Sequence, residues 1–436
     1  MVARKVRNLV LAGITLSLLL GILPTAAAHA VPASLRSGAV APSPILAISA
    51  HYTIPTGKAS DGLAYDPSTT NVYISNQGSN NVTVIDSTTH THSSIPVGKS
   101  PYGVAFDPYN SKVYVPNYNS SNVTIISAST DKAVANPSLG AHARPIGAIF
   151  DPASGDVLVL NSSAGLGTGV GWMIINSTNA VKKITFGTGT IDSYGYNPKT
   201  KDLYLPNLLS GSVSAISGSG TVTSIKTGGY PTYVYVNPSN NYTYAYGPSG
   251  GTHSVLRISM INTANKVVKN LTVRSVQDSF INRFGYDPAT KNSYFLGYND
   301  TTNKSALLVI SSKNSVSATV ALGSGELGFV SYDPANGDMY VTSAAKTITV
   351  VSGTTVVKTL TVSQTVPLLI YDPTLKDMVG TSFVNLTTVS TFYAITSSNT
   401  VSTLTVGKGA VAPFYDPKDT YVYVVNIGSK DVELVG

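Results

Sequence analysis

A short turn motif recurs nine times along the chain: an aromatic or apolar residue, then Asp or Asn, then Pro. Consecutive copies lie 39 to 50 residues apart. This spacing is typical of one four-stranded propeller blade and is too long for a leucine-rich or ankyrin repeat. The motif therefore predicts a repeat protein with nine units. The nine copies are Tyr65-Asp66-Pro67, Phe106-Asp107-Pro108, Phe150-Asp151-Pro152, Tyr196-Asn197-Pro198, Val236-Asn237-Pro238, Tyr286-Asp287-Pro288, Tyr332-Asp333-Pro334, Tyr371-Asp372-Pro373 and Tyr415-Asp416-Pro417.

The first repeat shows how each unit is built. Residues 62–65 form an apolar segment, and Asp-Pro then turns the chain, because Pro presets its backbone angle and Asp bonds the backbone two residues on. Residues 71–76, 81–86 and 94–98 follow as three further strands with period-2 patterning. We therefore expect an all-β fold, a single β-propeller of four-stranded blades. Nine blades match the repeat count, and eight remain the fallback if one repeat is degenerate.

The two ends of the repeat region complement each other. The last repeat supplies only three strands before the chain stops at Gly436, whereas the segment Ile54-Pro55-Thr56-Gly57-Lys58 nearly repeats Ile95-Pro96-Val97-Gly98-Lys99. Residues 45–57 are therefore predicted to supply the missing outer strand of the last blade by pairing with residues 431–435. Such a strand closes the ring and removes the open edge between the first and last blades.

The amino-terminal segment has the form of a secretory signal. Basic residues occupy positions 4, 5 and 7, an apolar run spans 9–23, and Ala28-His29-Ala30 resembles a signal-peptidase site. The apolar run is shorter than the roughly 20 residues of a membrane-spanning helix, so an uncleaved anchor is the less favoured alternative and the only expected route to a membrane. These features predict a secreted or cell-surface protein. The expected organisation is a signal peptide at 1–30, a linker at 31–44 and the propeller at 45–436, with the mature chain starting at Val31.

Composition excludes several classes of function. The chain has no cysteine, so disulfides, thiolate metal sites and c-type haem attachment are ruled out, and no cofactor is expected. The formal charge of +7 falls to +4 when the three basic residues of the signal are removed, and the remaining Lys and Arg are scattered, so nucleic acid is not an expected partner. Charged residues make up only 11%, against about 25% in typical proteins. A scarcity of carboxylates suits an acidic medium.

Strand two and the turn after it carry a family resemblance. Val72-Tyr73-Ile74-Ser75-Asn76, Val113-Tyr114-Val115-Pro116-Asn117 and Val422-Tyr423-Val424-Val425-Asn426 are each followed by a Ser-containing turn and a third strand. These repeats resemble the YVTN family of β-propeller repeats over nearly all of the mature chain. The resemblance implies a propeller in a secreted or cell-surface protein from a prokaryote, with an archaeal source favoured. The middle repeats depart from the pattern, with Val379-Gly380-Thr381 and Tyr244-Ala245-Tyr246 in strand two.

Candidate binding residues were sought where the inner strands begin, since a propeller's chemistry usually lies at the mouth of its central channel. Five residues before the turn Asp or Asn, the repeats carry Asp61, Tyr102, Asp192 and Asn282, the last followed by Arg283. These side chains predict a modest polar binding site. We expect an interaction module without catalysis that binds a surface protein, a glycan or a wall component. The alternative is a secreted lactonase-like hydrolase or lyase that uses Asp61 and Asp192.

Two further features carry weaker hypotheses. His90 and His92 are two residues apart, so on one strand they would point to the same side and could share a metal ion, although no third ligand is evident. Asn81 and Asn122 begin Asn-x-Thr sequons and are expected at exposed turns, where a host that modifies exported proteins could glycosylate them. The turn aspartates themselves are interpreted as structural.

Overall fold

The computed structural model describes residues 48–162, 169–189, 193–250, 255–277, 284–299, 304–324, 327–411 and 413–436. The predicted signal peptide, the linker and residues 45–47 lie outside these ranges. Within them the chain forms 36 strands and no helix, and hence no helix with the length and apolarity to cross a membrane.

The strands follow one another with short connections. In chain order they are β1 (Ala50–Pro55), β2 (Ser60–Asp66), β3 (Asn71–Asn76), β4 (Asn81–Asp86), β5 (His92–Pro96), β6 (Ala105–Asp107), β7 (Lys112–Asn117), β8 (Asn122–Ser127), β9 (Lys132–Ala135), β10 (Pro145–Phe150), β11 (Val157–Asn161), β12 (Gly169–Ile174), β13 (Val181–Phe186), β14 (Gly195–Asn197), β15 (Asp202–Asn207), β16 (Ser212–Ser217), β17 (Val222–Lys226), β18 (Tyr233–Val236), β19 (Thr243–Pro248), β20 (Val255–Ile261), β21 (Val267–Gln277), β22 (Phe284–Asp287), β23 (Asn292–Asn299), β24 (Lys304–Ile310), β25 (Val316–Ser324), β26 (Leu327–Tyr332), β27 (Met339–Ser343), β28 (Thr347–Ser352), β29 (Thr355–Thr361), β30 (Leu368–Asp372), β31 (Asp377–Thr381), β32 (Val389–Ile395), β33 (Val401–Lys408), β34 (Phe414–Tyr415), β35 (Val422–Asn426) and β36 (Asp431–Val435).

Nine antiparallel four-stranded blades surround a common axis. Blades 1 to 8 each use four consecutive strands, from β2–β5 in blade 1 to β30–β33 in blade 8, and blade 9 has the order β34-β35-β36-β1. The first strands of neighbouring blades contact each other, as β2 does with β6 and β6 with β10. The structure thus confirms the all-β propeller and the count of nine blades.

The amino-terminal strand closes the ring as predicted. In β1, Ile54 pairs with Val432 of β36 and Pro55 pairs with Asp431. The pairing continues beyond the strands, because Ser49 and Gly436 exchange backbone hydrogen bonds of 3.1 and 3.2 Å. Ile54 is only 3% exposed and joins the apolar cluster between blades 9 and 1. The first and last blades are therefore joined by main-chain pairing and by core packing.

The hydrophobic core is divided among the blade interfaces. The described residues form nine clusters of buried side chains, and each one joins two neighbouring blades. Strand two shows the cause: its side chains alternate between the two faces of the blade. Val72 and Ile74 pack towards blade 9, whereas Tyr73 packs towards blade 2. Each blade thus buries apolar side chains on both faces, and the closed ring covers all of them.

The turn motif has the structural role that the sequence indicated. All nine Asp or Asn side chains of the motif are buried, with exposures between 0 and 3%. Each accepts a hydrogen bond from the backbone N–H two residues on, at 2.8 to 3.0 Å. The bond stabilises the turn from the first to the second strand of every blade.

Candidate functional site

The loops of the propeller lie on two opposite faces. Because each blade is an antiparallel meander, the turns between strands two and three share one face with the connectors that lead from blade to blade. Hydrogen bonds link these loops: the backbone N–H of Lys58 donates to Ser79 Oγ at 2.7 Å, and that of Lys99 donates to Ser120 Oγ at 2.7 Å. We call this side the connector face. The Asp-Pro turns lie on the opposite side, the Asp-Pro face.

The predicted ring of channel-mouth residues is more buried than expected. Asp61 is 1% exposed and Thr232, at the equivalent position, is 0% exposed. Asp61 is therefore not a solvent-facing side chain, as a binding site at the surface would require. The physical reason is the close approach of neighbouring inner strands, since a Cβ placed on Gly62 would lie only 2.6 Å from the Cα of Gly103. Asp61 lies beneath the mouth and does not form its surface.

Three other predicted site residues fall outside the described residues: Asp192, Asn282 and Arg283. The proposed pairing of Asp61 with Asp192 as two catalytic carboxylates is consequently not tested. In the described ranges, no three His, Cys, Asp or Glu side chains are grouped closely enough to hold a metal ion.

Tyr102, the other predicted residue that the structure describes, is only half-buried. Its ring centroid lies 5.4 Å from that of Tyr118, at an interplanar angle of 45°. Both rings are half-buried and pack on the apolar cluster between blades 3 and 4. Burial, followed by the nearby charge of Asp61 and by Tyr118, raises the pKa of the Tyr102 phenol. Tyr102 thus stays uncharged at neutral pH, and the two rings offer aromatic surface beside hydrogen-bonding groups.

Arg144 completes this arrangement from the connector between blades 2 and 3. Its Nη1 donates a hydrogen bond of 3.0 Å to the Tyr118 hydroxyl, and its guanidinium carbon lies 5.4 Å from the Tyr118 ring centroid. The residue is exposed. The backbone N–H of Arg144 donates to Asn161 Oδ1 at 2.8 Å, which positions the connector. We call Tyr102, Tyr118 and Arg144 the Tyr–Arg cluster.

Sequence reasoning missed two members of the Tyr–Arg cluster. Tyr118 directly follows Asn117, the last residue of strand two, and Arg144 directly precedes Pro145, the first residue of an inner strand. Both positions lie in loops of the connector face. Searching all connectors and second turns for aromatic and cationic residues would have found them, whereas counting back from the turn Asp samples only one position per repeat.

The two candidate metal ligands do not share a strand. His90 lies in the turn before β5 with a φ of 57°, and His92 is the exposed first residue of β5. His90 Nε2 instead lies 3.5 Å from Asp419 Oδ2 of blade 9, and its ring lies 3.9 Å from that of Tyr52 in β1. His90 therefore contributes to the junction where the ring closes.

The two sequon residues lie on strands and not at exposed turns. Asn81 and Asn122 are the half-buried first residues of β4 and β8. The Oδ1 of Asn81 accepts a 2.9 Å hydrogen bond from Asn76, and Asn122 accepts an equivalent bond from Asn117. Among the other sequons that the structure describes, Asn119, Asn270 and Asn385 are exposed. These three positions are better placed for glycosylation.

Comparisons with known proteins support the architecture. No protein-family model matches the chain, and no curated protein matches it in sequence. Among solved structures, the propeller of Dos1 is similar with a TM-score of 0.55 and 9% identity, over 88% of this chain and 95% of that one. BamB from Moraxella catarrhalis is similar with a TM-score of 0.51 and 12% identity, over 82% of this chain and 100% of that one. Dihydro-heme d1 dehydrogenase NirN is similar with a TM-score of 0.53 and 12% identity, over 87% of this chain and 75% of that one.

At these identities the likeness is one of fold. The structural neighbours differ in their roles, so they do not assign a reaction or a ligand to this chain. Fold and site together define a nine-bladed β-propeller that carries an aromatic and cationic cluster on its connector face.

Proposed function

We propose that the chain is an extracellular or cell-surface interaction module of the YVTN type, which binds a surface protein, a glycan or a wall component through its connector face. The signal-like segment at 1–30 and the resemblance of the repeats support an external location. The observation that carries the binding role is the Tyr–Arg cluster. Tyrosine and arginine are the side chains most enriched in the energetic centres of interfaces, where they combine apolar contact with hydrogen bonding.

The location of the Tyr–Arg cluster suits this role. Tyr102 and Arg144 come from two successive connectors, and Tyr118 comes from the turn between them. A ligand that contacts all three therefore spans two blade junctions. The half-buried tyrosines are held by the core beneath, so little conformational entropy is lost when a ligand orders them.

The proposal is tested by replacing Tyr118 and Arg144 by Ala and measuring how the purified protein binds to envelope preparations of its source organism. We expect at least tenfold weaker binding for each change, because residues at an interface centre contribute about 2 kcal/mol or more. The matched control is Tyr109→Ala, which removes an exposed tyrosine from the Asp-Pro face. Equal melting temperatures are required for the comparison. Normal binding by both variants, with a loss in the control, would place the site on the other face.

A further inference from the structure

Exposed charge in the described part of the chain has a single sign. Every described Asp and Glu side chain is buried or half-buried. By contrast, the Lys and Arg side chains are exposed, apart from the half-buried Lys112 and Arg257, wherever the structure describes the side chain. The one ion pair found among these residues joins His90 to Asp419. The surface therefore attracts anions, and this attraction is not offset by neighbouring exposed carboxylates.

Four of these cations form a regular array on the connector face. They lie at four successive blade junctions: Lys408 between blades 8 and 9, Lys58 between 9 and 1, Lys99 between 1 and 2, and Arg144 between 2 and 3. We call these four residues the junction arc. All four are exposed, so each of four consecutive blade junctions presents a positive charge on the connector face.

The backbone of the junction arc is held in the same way at each position. The N–H groups of Lys58, Lys99 and Lys408 each donate a 2.7 Å hydrogen bond to the serine of an adjacent turn, and that of Arg144 donates to an asparagine side chain. These hydrogen bonds thus fix the backbone position of each cationic residue, while the side chains extend into solvent. A ligand with regularly repeated negative charges fits such an array.

Carboxylates close to the junction arc do not neutralise it. Asp61 is buried, and Asp431 and Glu433 are half-buried. Asp431 accepts a 2.8 Å hydrogen bond from Asn426, and the Glu433 carboxylate accepts one of 3.2 Å from the backbone of Gly407. Burial also raises the pKa values of Asp431 and Glu433, so these two carboxyl groups become protonated at a higher pH than ordinary exposed ones.

Between the cations the face is polar and aromatic. Serine hydroxyls and the exposed Asn119 provide hydrogen-bonding groups, and the Tyr118 ring lies beside Arg144. Exposed large apolar side chains on this face are Leu209, Tyr230 and a group of three in the blade 8 turn, Phe383, Val384 and Leu386. Hydroxyl and amide groups with single aromatic rings suit sugar rings, whereas a membrane surface requires a broader apolar area.

We propose that the junction arc binds an acidic polysaccharide, whose carboxylate or sulfate groups pair with the four cations while a sugar ring lies on Tyr118. The proposal rests on the proposed function and specifies its ligand class. Among the four cations, Arg144 is expected to contribute most to binding, because a guanidinium can bond a carboxylate or sulfate with two parallel N–H groups.

The test compares two variants with the same change in net charge. The arc variant carries Lys58→Gln, Lys99→Gln, Arg144→Gln and Lys408→Gln. The control carries Lys132→Gln, Lys199→Gln, Lys201→Gln and Lys418→Gln, four exposed cations of the opposite side. Binding to polygalacturonate is measured for both, with dextran, duplex DNA and phosphatidylglycerol vesicles as comparison probes. We expect the arc variant to lose at least tenfold in affinity for polygalacturonate and the control to lose less than threefold.

Three outcomes would overturn the inference: no binding of polygalacturonate by the unaltered protein, equal losses in the two variants, or duplex DNA or vesicles bound as tightly as polygalacturonate. The Tyr118→Ala variant separates these failures from failure of the proposed function. If that variant still loses binding to envelopes while polygalacturonate does not bind, the interaction module stands and only its ligand class is wrong.

Discussion

The Asp side chains of the turn motif are ionisable groups in buried positions. Asp333 is 0% exposed, and only its Oδ1 accepts the turn hydrogen bond, from the N–H of Ala335 at 2.8 Å. Burial, with a smaller contribution from Asp338, raises the pKa of Asp333 to about 7. Burial likewise raises the pKa of Asp107, Asp151 and Asp372. These side chains favour folding in their protonated form.

The Asp333→Asn variant tests this effect. Because the folded pKa lies above the unfolded value of about 4, the stabilising contribution is complete below pH 4 and is lost as pH rises through 7. Asn already occupies the equivalent positions Asn197 and Asn237, where it makes the same turn bond. We expect the variant to match the unaltered protein near pH 4 and to exceed it at pH 8 by up to about 4 kcal/mol, as measured by urea unfolding.

Asp86→Asn is the matched control for that measurement. Burial raises the pKa of Asp86, but hydrogen bonds from the backbone N–H groups of Thr88 and Thr89 outweigh it, so the net pKa is lowered. Its stabilising contribution is therefore present at neutral pH and is lost in acid, the opposite sign. A stability difference for Asp333→Asn that did not change between pH 4 and 8 would contradict the assignment.

Between elements, the tyrosine of strand two links several blades to the next one, as blades 1 and 7 show. The Tyr73 hydroxyl donates to Asp131 Oδ1 at 2.8 Å, and the Tyr340 hydroxyl donates to Asn399 Oδ1 at 2.8 Å. Both acceptors belong to the turn between strands three and four of the following blade and have positive φ. Where strand two carries Leu158 instead, the next blade has Gly220 at this turn position.

The amino-terminal strand is the element whose loss we expect to be most damaging. A chain beginning at Ala59 lacks β1, so it loses the backbone pairing with β36, the burial of Ile54 and the contact of Tyr52 with His90. We expect a loss of at least about 3 kcal/mol in stability and concentration-dependent aggregation through the exposed edge of β36. A chain beginning at Ile48 is the control. Identical melting of the two chains would show that β1 does not close the ring.

Much of this architecture is predictable because its signals are local. The Asp-Pro turn, the alternating strands and the repeated Ile-Pro-x-Gly-Lys segment each lie within a few residues, and they lead to nine blades and to the pairing of β1 with β36. The candidate site was only partly predictable. Tyr102 is found by counting within a repeat, but the burial of Asp61 depends on how closely Gly62 approaches the next inner strand.

The site residues and contacts that the sequence did not predict depend on how neighbouring blades pack together. Tyr118 and Arg144 lie 26 residues apart in loops with no shared motif, and only the stacking of blades 2 and 3 brings them into contact. In the same way, Tyr73 meets a turn 58 residues later in the chain. A single sequence carries no local signal for such pairs. Knowing which turns share a face is the step that would have identified them.

In the closed ring as a whole, the residues that stabilise the fold and the residues proposed to bind a ligand lie in different places. Apolar clusters hold the blades together and the buried turn residues stabilise each blade, whereas the junction arc and the Tyr–Arg cluster lie on the connector face. The Asp-Pro face is dominated by turns that serve the fold. We therefore expect ligand binding on the connector face.

Amide hydrogen exchange, measured by mass spectrometry on the purified protein with and without envelope preparations, tests this claim most directly. It reports on both faces of the propeller in one unaltered protein. We predict slower exchange on binding in the connector at residues 99–103, the turn at 118–121 and the connector at 142–145, with no change in the Asp-Pro turns at 107–111 and 333–337. Protection confined to those Asp-Pro turns or to the outer strands would show that the ligand does not bind on the connector face.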